Sequence, residues 1–323
     1  MGTNIYESFY KDVESVVVEN DKLKAHFLPK LGGKMASLVW KETGREFLSQ
    51  AHNPKYKIPR YDGIYVDAEC SGFDDMFPTI DVCYYETYPW NGVKLPDHGE
   101  VYSLCWSYKI EDSCLYMSTY GVRLPYKLEK WIRFETSNTL KIEYKATNLS
   151  HFDMDFIWAA HPMINAEEGG EIILPYDDEA GITCVFSEDG GFGKYGYHMK
   201  WPKTTRLDGK LQALNITAPR NNKGNNYKYY FNKRIPEGWC IYKYNSDGTA
   251  LKLSFPEDKV PYFSIWVNEG SFHNLYNIAP EPCTGAFDRV DFAKIHGTNS
   301  VLEAKNEYCW FLSFSVTDGT GWK

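Results

Sequence analysis

Thr139-Leu-Lys-Ile-Glu-Tyr-Lys-Ala-Thr-Asn148 is the stretch that decides the fold class. Leu140, Ile142, Tyr144 and Ala146 alternate with Lys141, Glu143 and Lys145. A two-residue period puts every apolar side chain on one face, whereas a helix of about 3.6 residues per turn would scatter them. Such a segment is a half-buried antiparallel strand. The same alternation recurs in Leu251-Lys-Leu-Ser-Phe255 and in Trp310-Phe-Leu-Ser-Phe-Ser-Val316. Between Trp239-Cys-Ile-Tyr-Lys-Tyr244 and Ala250 lies Asn245-Ser-Asp-Gly248, whose Asp-Gly pair takes positive φ readily and closes a hairpin. Further strands are predicted at 15–20, 23–28, 34–41, 101–110, 114–122, 127–136, 153–160, 171–174, 182–187 and 261–268. No long stretch keeps an i, i+3, i+4, i+7 apolar pattern, so helices are expected to be few and short. Many strands without alternating helices predict an all-β antiparallel sandwich rather than a βαβ fold. Residues 50–100 and 188–232 read as two long loops. With no linker, internal repeat or low-complexity run, one domain over residues 1–323 is expected.

Charge excludes some partners. Lys and Arg number 35 against 43 Asp and Glu, a net charge of -8, whereas sequence-independent nucleic-acid binding needs a basic footprint. No apolar run approaches the ~20 residues that span a bilayer, so no membrane partner is expected. The start, MGTNIYESFYKDVESVVV, lacks the basic region and apolar run of a secretory signal, and Tyr6 stands where myristoylation needs Ser or Thr. A soluble, cytoplasmic protein is the expectation. The cysteines (Cys70, Cys83, Cys105, Cys114, Cys184, Cys240, Cys283 and Cys309) form no C-x-x-C pair, which predicts reduced thiols, no zinc site and unused sequons at Asn148 and Asn215. Aromatic residues make up 16% of the chain. They suit strands, and they equally suit stacking against the C–H face of a sugar; composition does not separate the two.

Four segments gather ionisable, Gly and Pro residues at strand ends. Ser71-Gly-Phe-Asp-Asp-Met-Phe-Pro-Thr-Ile-Asp81 carries the adjacent carboxylates Asp74 and Asp75, which either cap a turn or meet a ligand. Leu95-Pro-Asp-His-Gly-Glu-Val-Tyr102 delivers His98 on a tight turn. In Ile157-Trp-Ala-Ala-His-Pro-Met-Ile-Asn165, Pro162 removes a backbone donor and directs His161 to one rim. In Ile278-Ala-Pro-Glu-Pro-Cys-Thr-Gly285, two prolines hold Glu281 in an apolar setting. A general base is positioned and tuned in this way, although a carboxylate capping Thr284 or Gly285 has the same local sequence.

Taken together and in order, these segments resemble the galactose mutarotase-like family, the aldose 1-epimerases. That family has a His-Gly turn, then His-Pro at a strand end, then Glu-Pro near the C-terminus; here the intervals are 63 and 120 residues. Met76-Phe-Pro78 is similar to the Phe-Pro turn of its divergent, LacX-like branch, and Val301–Val316 resembles its last strands. The resemblance implies a β-supersandwich with an open sugar cleft and metal-free acid–base catalysis, with no cofactor. It implies that Glu281 removes the proton from the anomeric O1 hydroxyl, that His161 protonates the ring oxygen O5, and that His98 holds the sugar by a hydrogen bond. The implied reaction interconverts the α and β anomers of a free or phosphorylated aldose. The sequence departs from the family in two places. The family's Arg ahead of the His-Gly turn is replaced by Gly72-Phe-Asp-Asp75, so Asp74 or Asp75 is expected to hold sugar hydroxyls. The family's Asp between the second His and the Glu has no counterpart in Tyr227-Lys-Tyr-Tyr-Phe-Asn232, which leaves Lys228 or Lys233 for that contact.

Other chemistries fit less well. There is no H-E-x-x-H motif for metal hydrolysis and no G-x-S-x-G elbow for a serine nucleophile. A glycosidase pair of Glu281 with Asp74 or Asp75 stays open. So does a non-catalytic carbohydrate-binding protein on the same fold: it is the reading if only aromatics and Asp residues line the cleft, whereas the epimerase needs His161 and Glu281 both to reach one sugar's O5 and O1.

Overall fold

The computed structural model describes residues 2–219 and 224–317. Among them, a 13-stranded sheet and an 8-stranded sheet form the body of the molecule. Thr139–Asn148 lies in the smaller sheet between Tyr126–Thr136 and Glu307–Thr317, all antiparallel. Its apolar face packs inward, with Leu140 opposite Phe314, Ile142 opposite Leu312 and Tyr144 opposite Trp310. Burying each of Leu140 and Ile142 stabilises the fold by roughly 1.5–3 kcal/mol. From the larger sheet, Phe73 meets Phe314 across the interface at 5.4 Å between ring centroids. One hydrophobic cluster runs from Val16 to Val316. The Asn245–Gly248 hairpin forms as predicted: Gly248 has φ 74° and the Tyr244 N–H donates to Thr249 O at 2.8 Å. The all-β antiparallel sandwich is therefore the observed class, and among the described residues the one α-helix is Val290–His296.

Three local readings differ from the structure. Segment 101–110 breaks into a 3-10 turn, Val101–Ser103, and a strand, Ser107–Glu111, because the Trp106 indole donates back to Val101 O at 3.1 Å and closes the turn. Segment 153–160 divides because the chain changes sheets. Met154–Phe156 pairs with Ser300–Leu302, the Trp158 N–H then donates to Thr284 Oγ1 at 2.8 Å, and Ala159–Pro162 enters the large sheet. The two supposed loops contain central strands, Phe73–Met76 and Asn226–Phe231. Both are buried on both faces, so the alternation that marks a half-buried strand is missing. The eight cysteines are unpaired thiols, and burial pushes Cys70 up to about 12 and Cys184 up to about 11. No helix among the described residues is long and apolar enough to cross a membrane.

Candidate active site

Four adjacent strands of the large sheet build one floor: Ala159–Pro162, Tyr276–Cys283, Tyr262–Glu269 and Asn226–Phe231. Ala159 pairs with Cys283, so two places further along each strand His161 comes opposite Glu281. Glu281 is opposite Ser264, and Trp266 is opposite Lys228. The strand period of two then puts His161, Glu281, Ser264, Trp266 and Lys228 on the same face. That face looks into a cavity of about 650 Å³, whose walls include Tyr65, His98, Asp288, Phe186 and Tyr195.

At the floor, Glu281 Oε2 accepts from Lys228 Nζ at 2.6 Å and from the Ser264 hydroxyl at 2.8 Å. Its other oxygen, Oε1, lies 3.5 Å from His161 Nε2. Neither Oε1 nor His161 Nδ1 has a hydrogen-bond partner among the described residues, although both are buried. Orphaned buried polar atoms on a cavity wall are unfavourable unless a ligand or water satisfies them. Lys228 also pairs with Asp288 Oδ1 at 2.8 Å, and the Tyr230 hydroxyl donates to the same oxygen at 2.7 Å.

Burial sets the protonation of this cluster. It holds the His161 imidazole well below its usual range, helped by the charges of His98 and Lys228. The 3.5 Å contact with Glu281 is therefore a contact of a neutral ring, although its distance alone would admit an ion pair. Burial also pushes the Glu281 carboxyl up, with Asp288 acting in the same direction and Lys228 opposing. For Lys228, burial favours the neutral amine, but Asp288 and Glu281 outweigh it and the ammonium form is reinforced.

His98 arrives from the turn before Gly99. Both residues have positive φ (57° and 74°), and a Cβ on Gly99 would lie 2.4 Å from Phe77 O, so glycine is required there. The His98 ring stacks on Tyr65 at 3.8 Å and lies 5.8 Å from the His161 ring. Asp97 fixes it: Oδ1 meets His98 Nδ1 at 2.8 Å and Oδ2 accepts the Tyr65 N–H at 2.8 Å. Burial opposes ionisation of Asp97, but the hydrogen bond and charge of His98 hold its carboxyl below the usual range. Nε2 is then the ring nitrogen left for a ligand.

The structure brings together His98, His161, Glu281 and Lys228, and separates the other three residues picked from the sequence. Asp74 sits opposite His161 in the ladder but is 3% exposed, receiving Lys34 Nζ and the Tyr65 hydroxyl, each at 2.8 Å. It supports Tyr65 from behind and does not line the cavity. Asp75 points the opposite way, between the sheets, where Lys130 Nζ reaches it at 2.8 Å and the Trp158 indole donates at 3.0 Å. Lys233 is exposed beyond its strand, where its carbonyl accepts from the Tyr176 hydroxyl. Asp74, Asp75 and Lys233 are thus corrected: two are structural ion-pair partners and one lies on the surface. The sequence reading missed Asp288. It belongs to no motif, and its mark is conformational: Phe287 and Asp288 both have positive φ, 73° and 61°, strain of the kind that gathers at ligand sites. Among the described residues, no cluster of three His, Cys, Asp or Glu side chains is placed to hold a metal ion.

Comparison with known proteins defines the fold. A family described as a domain of unknown function (DUF5107) matches residues 6–91. No curated protein matches the chain. Among solved structures, the Slr1438 protein from Synechocystis sp. PCC 6803 is similar at 14% identity and TM-score 0.68, over 97% of this chain and 99% of that one. A galactose mutarotase-like protein from Clostridium acetobutylicum is similar at 12% identity and TM-score 0.65, over 98% of each chain. A putative aldose 1-epimerase from Escherichia coli K12 is similar at 16% identity and TM-score 0.62, over 98% of this chain and 99% of that one. The fold is galactose mutarotase-like.

Proposed function

We propose that this chain, on the galactose mutarotase-like fold, interconverts the α and β anomers of an aldose by acid–base ring opening. The observation that supports it is the His161–Glu281 pair, 3.5 Å apart, each with an unsatisfied polar atom on a cavity wall. Lys228 and Asp288 cancel as charges. The remaining pair is cheapest to bury when it holds one proton, because the cluster is then neutral. The pair shares that proton, and in the productive form it sits on His161 Nε2. Glu281 Oε1 then accepts the proton of the sugar's O1 hydroxyl. The C1=O1 bond forms as C1–O5 breaks, and O5 takes the proton from His161. After rotation about C1–C2, the aldehyde recloses with both transfers reversed. Ser264 and Lys228 hold the other carboxylate oxygen and orient it. His98, fixed by Asp97 and stacked on Tyr65, offers Nε2 to a sugar oxygen.

The test is saturation transfer between anomeric proton resonances, run over a panel of free and phosphorylated aldoses. Accelerated exchange of at least one sugar is the expected result. Sugar binding without acceleration of any would leave a carbohydrate-binding protein. A single-proton pair also predicts a bell-shaped pH profile: losing the proton removes the acid and gaining a second removes the base, at values belonging to the pair as a whole.

A further expected outcome concerns His161 alone. Its ring nitrogens should keep the chemical shifts of neutral imidazole as the pH falls through about 6.5, where a free histidine titrates. The sign follows from the depressed folded-state value: the unfolded ring takes up a proton that the folded ring refuses, so stability declines as the pH drops below that point. A His161 ring that charges near 6.5 would show that the site is wet and would remove the one-proton argument.

A further inference from the structure

The cavity does not end at the reacting pair. Tyr195 lines both this cavity and a second recess of about 580 Å³, walled by Gly190, Gly193, Tyr197 and Leu207. Strands Ala180–Ser187 and His198–Trp201 pair with each other, and the Gly-rich turn between them carries Tyr195 and Tyr197 out from the sheet. At Gly193, φ is 83° and a Cβ would lie 2.6 Å from the Tyr197 ring, so the missing side chain lets that ring lie against the turn. Phe186, Tyr195, Tyr197 and Leu207 are all exposed, at 45%, 52%, 42% and 60%. A run of exposed apolar side chains continuous with a polar-floored cavity marks a ligand groove rather than chance exposure. Among the described residues, the cations of the inner wall already have carboxylate partners, Lys228 with Glu281 and Asp288, Arg289 with Asp291 and His98 with Asp97, so none of them stands unpaired for a phosphate.

We propose that the substrate is the reducing end of a neutral oligosaccharide. Its terminal ring lies over His161 and Glu281, and the following rings run past Tyr195 to stack on Tyr197 and Leu207. Aromatic faces suit this occupant because each pyranose offers a C–H face to the ring while its hydroxyls stay in water. The placement of the first ring rests on the epimerase reading; the outer path does not.

Two arms separate the ideas. In the first, anomer exchange is measured for D-glucose, D-xylose and D-mannose and for cellotriose, maltotriose, xylotriose and mannotriose. Wild type is compared with Tyr197→Ala and with Leu207→Asp, both exposed positions outside the inner cavity. For at least one trisaccharide, kcat/KM should exceed that of its parent monosaccharide. Tyr197→Ala should lower the trisaccharide value about tenfold, the equivalent of roughly 1.4 kcal/mol, and leave the monosaccharide value unchanged. In the second arm, methyl glycosides of the trisaccharides, which cannot open, are titrated into the Glu281→Gln protein with and without Tyr197→Ala. Exchange of monosaccharides at rates that trisaccharides do not exceed, with no effect of Tyr197→Ala, overturns the extended groove and leaves the epimerase reading standing. No exchange of any sugar, with glycoside binding that Tyr197→Ala abolishes, does the reverse. Absence of both exchange and binding overturns both.

Discussion

Glu281→Gln is expected to abolish anomer exchange while sugar still binds. Glutamine keeps the shape, and its carbonyl can still accept from Lys228 and Ser264, the two donors that hold Oε2 at 2.6 and 2.8 Å. It cannot take a proton from O1, nor can it share one with His161. The loss should therefore fall on turnover rather than on KM, because the missing interaction exists only as the proton moves. A single acid–base group contributes about 10²–10⁴-fold, equivalent to about 3–5 kcal/mol of barrier. His161→Asn should do comparable damage. Because one proton serves both residues, the double variant should be little worse than either single one. Turnover at the wild-type rate in Glu281→Gln, on any aldose the protein accepts, would take this carboxylate out of the mechanism and leave a binding protein.

The sandwich was legible wherever a strand has one wet face. Thr139–Asn148 shows it directly, since Lys141, Glu143 and Lys145 advertise solvent while Leu140, Ile142 and Tyr144 advertise the core. The strands that form the site carry no such signature. Asn226–Phe231 is buried along its whole length, and its one charge, Lys228, is matched by carboxylates from residues 281 and 288. A lysine that breaks an apolar run suggests a loop to a reader of sequence, yet here two distant anions let it sit in a central strand. His98, His161 and Glu281 were readable because Gly or Pro beside each fixes the backbone locally. Asp288 was not, because its partners lie 58 and 60 residues away and no local rule connects them.

Asp74 and Asp75 show the opposite error. Adjacent residues of a strand point to opposite faces, so two neighbouring carboxylates cannot both meet one cavity. Each was instead placed for a lysine far off in sequence, Lys34 and Lys130, at 40 and 55 residues' separation. Acidic residues beside a candidate site thus say little until the face is known, and the face depends on a strand boundary that a fully buried segment hides.

Asp75→Asn is accordingly expected to destabilise the protein severely and to leave KM for sugar unchanged. Asp75 and Lys130 are each 1% exposed between the sheets, 2.8 Å apart. The Trp158 indole donates to the other carboxylate oxygen at 3.0 Å, and Lys130 also donates to Gly33 O at 2.7 Å and sits 4.6 Å from the Trp106 ring. Asparagine can still accept from the indole but leaves a buried ammonium without its counter-charge. Breaking a buried pair from one side costs roughly 3–5 kcal/mol, most of it from the stranded ion. Lys130→Met should be comparably damaging, and Asp75→Leu combined with Lys130→Met should recover much of the loss, because neither member of the pair is then left as a stranded charge. Chemical denaturation of the four proteins reads the stability. Anomer exchange by the folded fraction reads the site, and a raised KM at wild-type stability in Asp75→Asn would return this carboxylate to the sugar.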